Sequence, residues 1–263
     1  MRSRSFVVLA LAAAVSLLAG CTGGDESTAA PAATTTAAAA STGAAAPVTS
    51  TSTAASAPVT SGTGCAPVGN GVPADAASAP TLDVDGDGRA DTAWLEGNTS
   101  TAVVVVGVTT ASGATFSADY SSASPVSRQM LIADVDGAGT IAAIVSDGRT
   151  ASLFSVSVCA MVPALNVQGS QYTFDLTGTG GTGVGCSRVA GEPSTELVGL
   201  QLDQDADGQP VSITRTAVLL DGTTATNGAS DTIDVAGDPT GPAVASATRI
   251  SCGDLVSTVH ASS

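Results

Sequence analysis

From Thr92 onward the chain is a series of short apolar or alternating runs: TAWLEG, TAVVVVGVTT, ATFSADY, QMLIADV, TIAAIVSDG, ASLFSVSV, QYTFDL, ELVGLQLD, VSITRTAVLLDG and AVASATRIS. Each run is rich in Val, Thr, Ile or Ser and is bounded by Gly, Asp or Asn. That is the pattern of β-strands separated by turns. Leu, Glu and Met are sparse, and no helical period is evident. The pattern predicts an all-β antiparallel fold of about ten strands. Val103 to Val106 is continuously apolar and predicts a central strand buried on both faces.

The first sixty-four residues read differently. Arg2 and Arg4 precede an apolar run from Phe6 to Leu18, which is too short to span a bilayer as a helix. It has the length of a signal h-region. It ends in Leu18-Ala19-Gly20-Cys21, a string that resembles the bacterial lipobox, in which cleavage precedes the cysteine and the thiol carries a lipid. Residues 1–20 are therefore expected to be a lipoprotein signal peptide. Cys21 is the expected lipidation site, and the lipid the link to a membrane, on its outer face. Thr22 to Gly64 is almost all Ala, Thr, Ser, Pro and Gly, with no charged residue between Glu26 and Asp75. Such a segment buries too little surface to offset its ordering entropy, so residues 21–64 are expected to form a disordered stalk. Residues 65–263 are expected to form one folded domain.

Charge narrows the partners. The chain has 8 basic residues, all Arg, against 23 acidic ones, and a net charge of −15. Nucleic acid is not an expected partner, and cations are the natural small ones. The macromolecular partner is read as an envelope polymer or a surface protein, and a monomer is expected. Beyond Cys21 there are four cysteines, Cys65, Cys159, Cys186 and Cys252, an even number in an exported domain. Two disulfides are expected. Of the three pairings, Cys65–Cys252 would join the start of the domain to its end, and Cys159–Cys186 would clip neighbouring strands. That pairing is the expected one.

Four Asp/Gly stretches align: DVDGDG at Asp83, DVDGAG at Asp134, DLTGTG at Asp175 and DQDADG at Asp203. The first three each follow an apolar run, and their starts are 51 and 41 residues apart, the length of one four-stranded unit. The fourth starts 28 residues after the third. It reads equally as a fourth repeat or as the turn of a long hairpin. The strand–DxDxDGxxD repeats resemble the FG-GAP/VCBS repeats of integrin-α-type β-propellers, from Ala79 to Asp221. The resemblance implies a Ca²⁺ loop between strands. It also implies a small or incomplete propeller-like repeat domain of three to four units, closed by Cys65–Cys252.

The chemistry of the first loop fits that ion. Ca²⁺ takes oxygen ligands, and alternate residues of a tight loop converge on one point. The expected ligands are Asp83, Asp85, Asp87, the backbone carbonyl of Arg89, and Asp91. Gly88 permits the turn. Asp134 and Asp136 are weaker candidates, because Ala138 and Ala142 stand at the third and fourth ligand positions. So are Asp203, Asp205 and Asp207, where Val211 ends the pattern. Asp175 is the only acid of its loop and reads as a structural turn.

Other signals are weak. Gly178, Gly180 and Gly183 spell GxGxxG, but a Cys/Gly/Pro loop follows where a dinucleotide fold needs a helix. The only histidine, His260, lies near the end and reads as part of a frayed tail. The sequence has no parts for a triad or Schiff-base enzyme. Glu192 and Glu196, with Trp94, Tyr120 and Tyr172 as stacking rings, are the candidates for a glycan hydrolase or lyase using carboxylate or calcium chemistry. The leading reading is a non-catalytic binding or structural module, anchored to a membrane and stabilised by calcium.

Overall fold

The computed structural model describes residues 64–97, 102–157, 159–253, 255–256 and 259–260. The signal, Cys21 and the stalk up to residue 63 lie outside the described residues. The fold is all-β and antiparallel. Sheet one runs β1 (Ala77–Pro80), β2 (Thr92–Leu95), β3 (Val103–Thr109) and β4 (Thr115–Ser121) in order. Sheet two contains β5 (Gln129–Asp134), β6 (Ile141–Ser146), β7 (Thr150–Ser157) and β8 (Ala160–Pro163). Its other two strands are β9 (Thr173–Asp175), which pairs with β7 as β8 does, and a late strand from the chain end, described below, at the β5 edge. Sheet three runs β10 (Thr182–Arg188), β11 (Thr195–Gln204), β12 (Pro210–Asp221) and β13 (Thr224–Asp234). The chain then forms one helical turn, α1 (Pro242–Ser246), a small pair β14 (Ser251–Cys252) and β15 (Leu255–Val256), and finally β16 (Val259–His260). β16 pairs with β5 at the edge of sheet two, so His260 is in a strand and not in a frayed tail.

The side-chain alternation explains how the sheets are held. In sheet two, Met130, Ile132, Ala143, Val145, Phe154 and Val156 point to one face. They bury against Ala93, Leu95, Val104, Val106 and Val108 of sheet one. The intervening residues Leu131, Ala133, Ala142, Ile144, Ala151 and Leu153 point to the other face. They bury against Val184, Leu197, Val218 and Ala225 of sheet three. A strand side chain flips face with every residue, so a strand buried on both faces must be apolar throughout. The sequence reading assigned that role to Val103–Val106. In β3, however, Val104 is 2% exposed and Val103 is 51% exposed, so only one face of that run is buried in the core. The continuously buried strands are β5, β6 and β7 of sheet two, which lies between the other two sheets.

The far face of sheet three carries Val198, Leu200, Leu202, Ile213 and Ala217, and is covered by Val235, Val244 and Ala247. The covering segment was expected to be a strand, AVASATRIS. Its first half is instead α1, with Pro242 at the first helical turn, where a missing N–H is tolerated. Gly183, part of the GxGxxG signal, allows this cover. A Cβ there would lie 2.7 Å from the Arg249 backbone oxygen, and Val184 donates its N–H to that oxygen at 3.0 Å. The glycine is needed for backbone approach, not for a phosphate.

The fourth Asp stretch is resolved as a hairpin turn, joining β11 to β12 with Asp203 paired to Ser212. The third joins sheet two to sheet three. Only the first two sit alike, each between the first and second strand of its sheet in chain order.

The disulfide pairing corrects the expectation. Cys65 is bonded to Cys159 and Cys186 to Cys252, with Cα separations of 5.7 and 4.6 Å. The chain end does not return to the chain start. It runs beside β10, where Val184 and Ile250 form a bridge, and this places Cys252 next to Cys186. Cys65 instead lies against the first Asp loop, near the turn between β7 and β8 that carries Cys159.

The bonds close segments separated by 94 and 66 residues, each limiting the unfolded chain by about 4 kcal/mol in the chain-entropy model. Peptide mapping without reduction should give the pairs Cys65–Cys159 and Cys186–Cys252. Replacing either pair with serine should lower stability by roughly 2–5 kcal/mol in chemical denaturation. A crosswise map would refute this arrangement of the chain end.

Candidate metal centre

The first Asp loop turns between β1 and β2. Gly86 and Gly88 have φ of 75° and 85°, a left-handed backbone that glycine takes without steric cost. The turn wraps around Asp83. One of its oxygens accepts the Gly86 N–H at 2.7 Å and the Asp87 N–H at 3.2 Å. The other accepts the Gly88 N–H at 2.7 Å. Asp85 accepts the Asp87 N–H at 3.3 Å and, from outside the loop, the Cys65 N–H at 2.8 Å. Asp91, 2% exposed, accepts the Val84 N–H and the Ala111 N–H, both at 2.8 Å.

The result is a group of three carboxylates. One oxygen from each of Asp83, Asp85 and Asp91 lies within 4.8 Å of the others. Two ligands on opposite sides of a calcium ion at about 2.4 Å are separated by about that distance. Each carboxylate has four lone pairs and takes at most three N–H donors here, so every one of the three keeps at least one lone pair, Asp83 on the oxygen that accepts only from Gly88. Asp87 is not a member of the group and takes the Arg89 N–H at 2.8 Å. Arg89 is exposed at the loop tip.

The charges in the loop pull in opposite directions. Burial acts to raise Asp83, but the N–H donors of Gly88, Gly86 and Asp87 outweigh it and hold its carboxyl below the usual range. Asp91 is pushed up. Burial is the main cause, and the negative charges of Asp85 and Asp83 add to it against the N–H bonds from Val84 and Ala111. The loop therefore holds a buried carboxylate that its neighbours disfavour. A cation placed among the three removes that penalty, so these residues fit a hard divalent ion.

The second loop repeats the turn without the cluster. Gly137 and Gly139 donate to Asp134 at 2.9 and 3.1 Å, as Gly86 and Gly88 do to Asp83. Asp136 accepts the Ala138 N–H at 2.7 Å and the Thr140 hydroxyl at 2.6 Å. Burial is outweighed by these bonds, which hold Asp136 at about 2. The Thr140 hydroxyl, which sequence reasoning missed, satisfies Asp136 from within the loop, and among the described residues no third acid joins Asp134 and Asp136. In the β11–β12 hairpin, Asp203 accepts hydroxyls from Ser212 and Thr214, and Asp205 accepts the N–H groups of Asp207 and Gln209. In the third stretch Asp175 accepts the N–H and hydroxyl of Thr177.

The two equivalent loops share one cavity. Asp83, Leu82, Asp134 and Ile141 line it together with Cys186 and Cys252, so all three sheets reach a single space of about 760 Å³. No family model, curated protein or solved structure matches the chain.

The candidates for glycan chemistry are placed as follows. Trp94 and Tyr120 are core residues, 3% and 2% exposed. Glu192 accepts the Ala229 N–H, and Glu196 accepts the Ser194 hydroxyl. Tyr172 lines a separate cavity.

Asp83 and Asp136 are both held below the ordinary aspartate value of 3.8. Their contribution to stability is complete above that value and is lost as pH falls through the folded value, which for Asp136 is about 2. The melting temperature should therefore fall between about pH 4 and pH 2. An Asp136→Asn variant should be less stable at neutral pH and show a shallower fall. An equal slope in both proteins would contradict the assignment. Asp91 has the opposite sign: its raised value costs stability at neutral pH, and protonation relieves that cost.

Proposed function

We propose that the chain is an exported lipoprotein whose β-domain is a non-catalytic binding or structural module, stabilised by calcium in its first Asp loop. The lipobox-like Leu18-Ala19-Gly20-Cys21, the preceding apolar run and the Ala/Thr/Ser/Pro segment support the anchor and the tether. The resemblance of DVDGDGRAD to the FG-GAP/VCBS loop supports calcium. The observation that carries the calcium reading is the convergence of Asp83, Asp85 and the buried Asp91 within 4.8 Å. The loop's position supports a structural role for such an ion. The Cys65 N–H is held by Asp85, and the Cys65 carbonyl accepts the Ser112 hydroxyl at 2.7 Å. Cys65 is the first residue after the proposed tether, so the ion would fix the point where the tether enters the domain. The partner, on this reading, is an envelope polymer or surface protein.

A ligand that binds only the folded state stabilises it by about 2.7 kcal/mol at a hundred times its Kd. Saturating calcium should raise the melting temperature by roughly 5–10 °C over chelator for a domain of this size. An Asp85→Ala variant should lose the rise, and an Asp207→Ala variant should keep it. Identical melting of the unaltered protein in calcium and in chelator would sink the proposal. For the anchor, Cys21→Ala should move the protein from the membrane fraction to the medium. Unchanged fractionation would remove the lipid from the reading.

A further inference from the structure

A second cavity, of about 510 Å³, lies between the turn after β8 and the start of β13. Its walls come from two sheets joined by backbone hydrogen bonds. Leu165 donates its N–H to Thr223 and accepts the Ala225 N–H, both at 2.8 Å. The turn is fixed from within, because the Asn166 side-chain oxygen accepts the N–H groups of Gln168 and Ser170 at 3.0 and 3.1 Å. Tyr172 is held at both ends. Its hydroxyl donates to Asn227 Oδ1 at 2.5 Å, and its ring meets Phe174 edge-on at 5.2 Å. The site is thus formed in advance, which limits the ordering cost of a ligand.

The lining has a definite chemistry. No residue that lines it carries a formal charge, in a chain with 23 acidic residues. An ionic ligand therefore has no counter-charge there. What it offers is amides and one ring: Asn166, Gln168, Gln171, Asn227 and Tyr172. Beside them Val167 is 71% exposed, the most exposed large apolar side chain among the described residues. Asn227 spends its oxygen on Tyr172, so its NH₂ is the remaining donor. Gln171 directs its NH₂ toward the Leu153 carbonyl at 3.4 Å, so its oxygen is the remaining acceptor. Amide donors and acceptors around an aromatic and an aliphatic surface match a molecule with hydroxyl edges and a C–H face. A peptide added as a strand fits less well, because Leu165 already occupies the backbone of β13 at this point.

We infer that this cavity binds a neutral saccharide, its C–H face over Tyr172 and Val167 and its hydroxyls on Gln168, Gln171 and Asn227. The inference rests on reading the domain as a binding module, and names the class of polymer it takes. It does not depend on calcium.

The test is saturation-transfer NMR on the full chain with maltotriose, mannotriose and galactotriose. Trigalacturonate serves as the charged counterpart, and a short uncharged peptide as the other control. At least one neutral trisaccharide should bind with a Kd of roughly 0.1–10 mM, the range for a small site. Gln168→Ala, at an exposed position, should weaken binding at least about five-fold without changing the melting temperature, and Asn227→Ala should weaken it at least as much. Tyr172→Phe keeps the ring but frees Asn227, and should also weaken it. Asp207→Ala should leave binding as it was. The inference is overturned if no neutral trisaccharide binds by about 10 mM, if binding survives the substitutions, or if trigalacturonate or the peptide binds as well or better. Calcium-dependent melting is measured separately, so failure of the calcium reading and failure of this one are told apart.

Discussion

Sheet two is apolar on both faces, and the rest of the domain follows from covering it. A single fully buried Leu, Ile or Val contributes about 1.5–3 kcal/mol. Sheet two carries a row of such residues on each side, so leaving either side open would forfeit much of the stability of the fold. Sheet one closes one side and sheet three the other. Sheet three then has its own second apolar face, around Leu200 and Ile213, and the segment through α1 lies across it. The chain end returns past sheet three for that reason, and the Cys186–Cys252 bond follows from its course.

The Asp loops depend on the same frame. Two of them occupy the same place in successive sheets and wrap the same way around Asp83 and Asp134. Their backbones are nearly interchangeable, yet their chemistry is not. The first ends in Asp91, which the adjoining Ala111 N–H holds in a buried position. The second has Ala142 there, and the Thr140 hydroxyl satisfies Asp136. A repeated turn therefore keeps its hydrogen-bond geometry through the backbone, while one carboxylate decides whether a charge cluster forms. Cys65 ties the first loop to Cys159, and so to sheet two.

Much of the fold was legible in the runs QMLIADV, TIAAIVSDG, ASLFSVSV, ELVGLQLD and VSITRTAVLLDG, which are all strands. Two of the longer strands that were missed lack an apolar signature. β13 reads TATNGASDTID, and it is held by its pairing with β12 more than by its own side chains. β10 reads TGVGCSR, whose glycines serve the close passage of Arg249 and mimic a phosphate loop. The AVASATRIS run was misread because an apolar segment of that length packs on a sheet equally well as a helical turn.

The sequence by itself determined the β class, the turn at each Asp/Gly stretch, and the grouping of acids in the first loop. Those are local properties: they depend on period, glycine conformation and spacing within a few residues. Tertiary structure alone decided which cysteines meet, which sheet lies between the other two, and that Asp87, one of the four acids the spacing brought forward, stands outside the carboxylate group. It also decided that Tyr172 lies beside Asn227, 55 residues away, to form a neutral cavity. Each of these turns on which segments lie side by side. That is set by the burial of whole sheet faces, and no short window of sequence contains it.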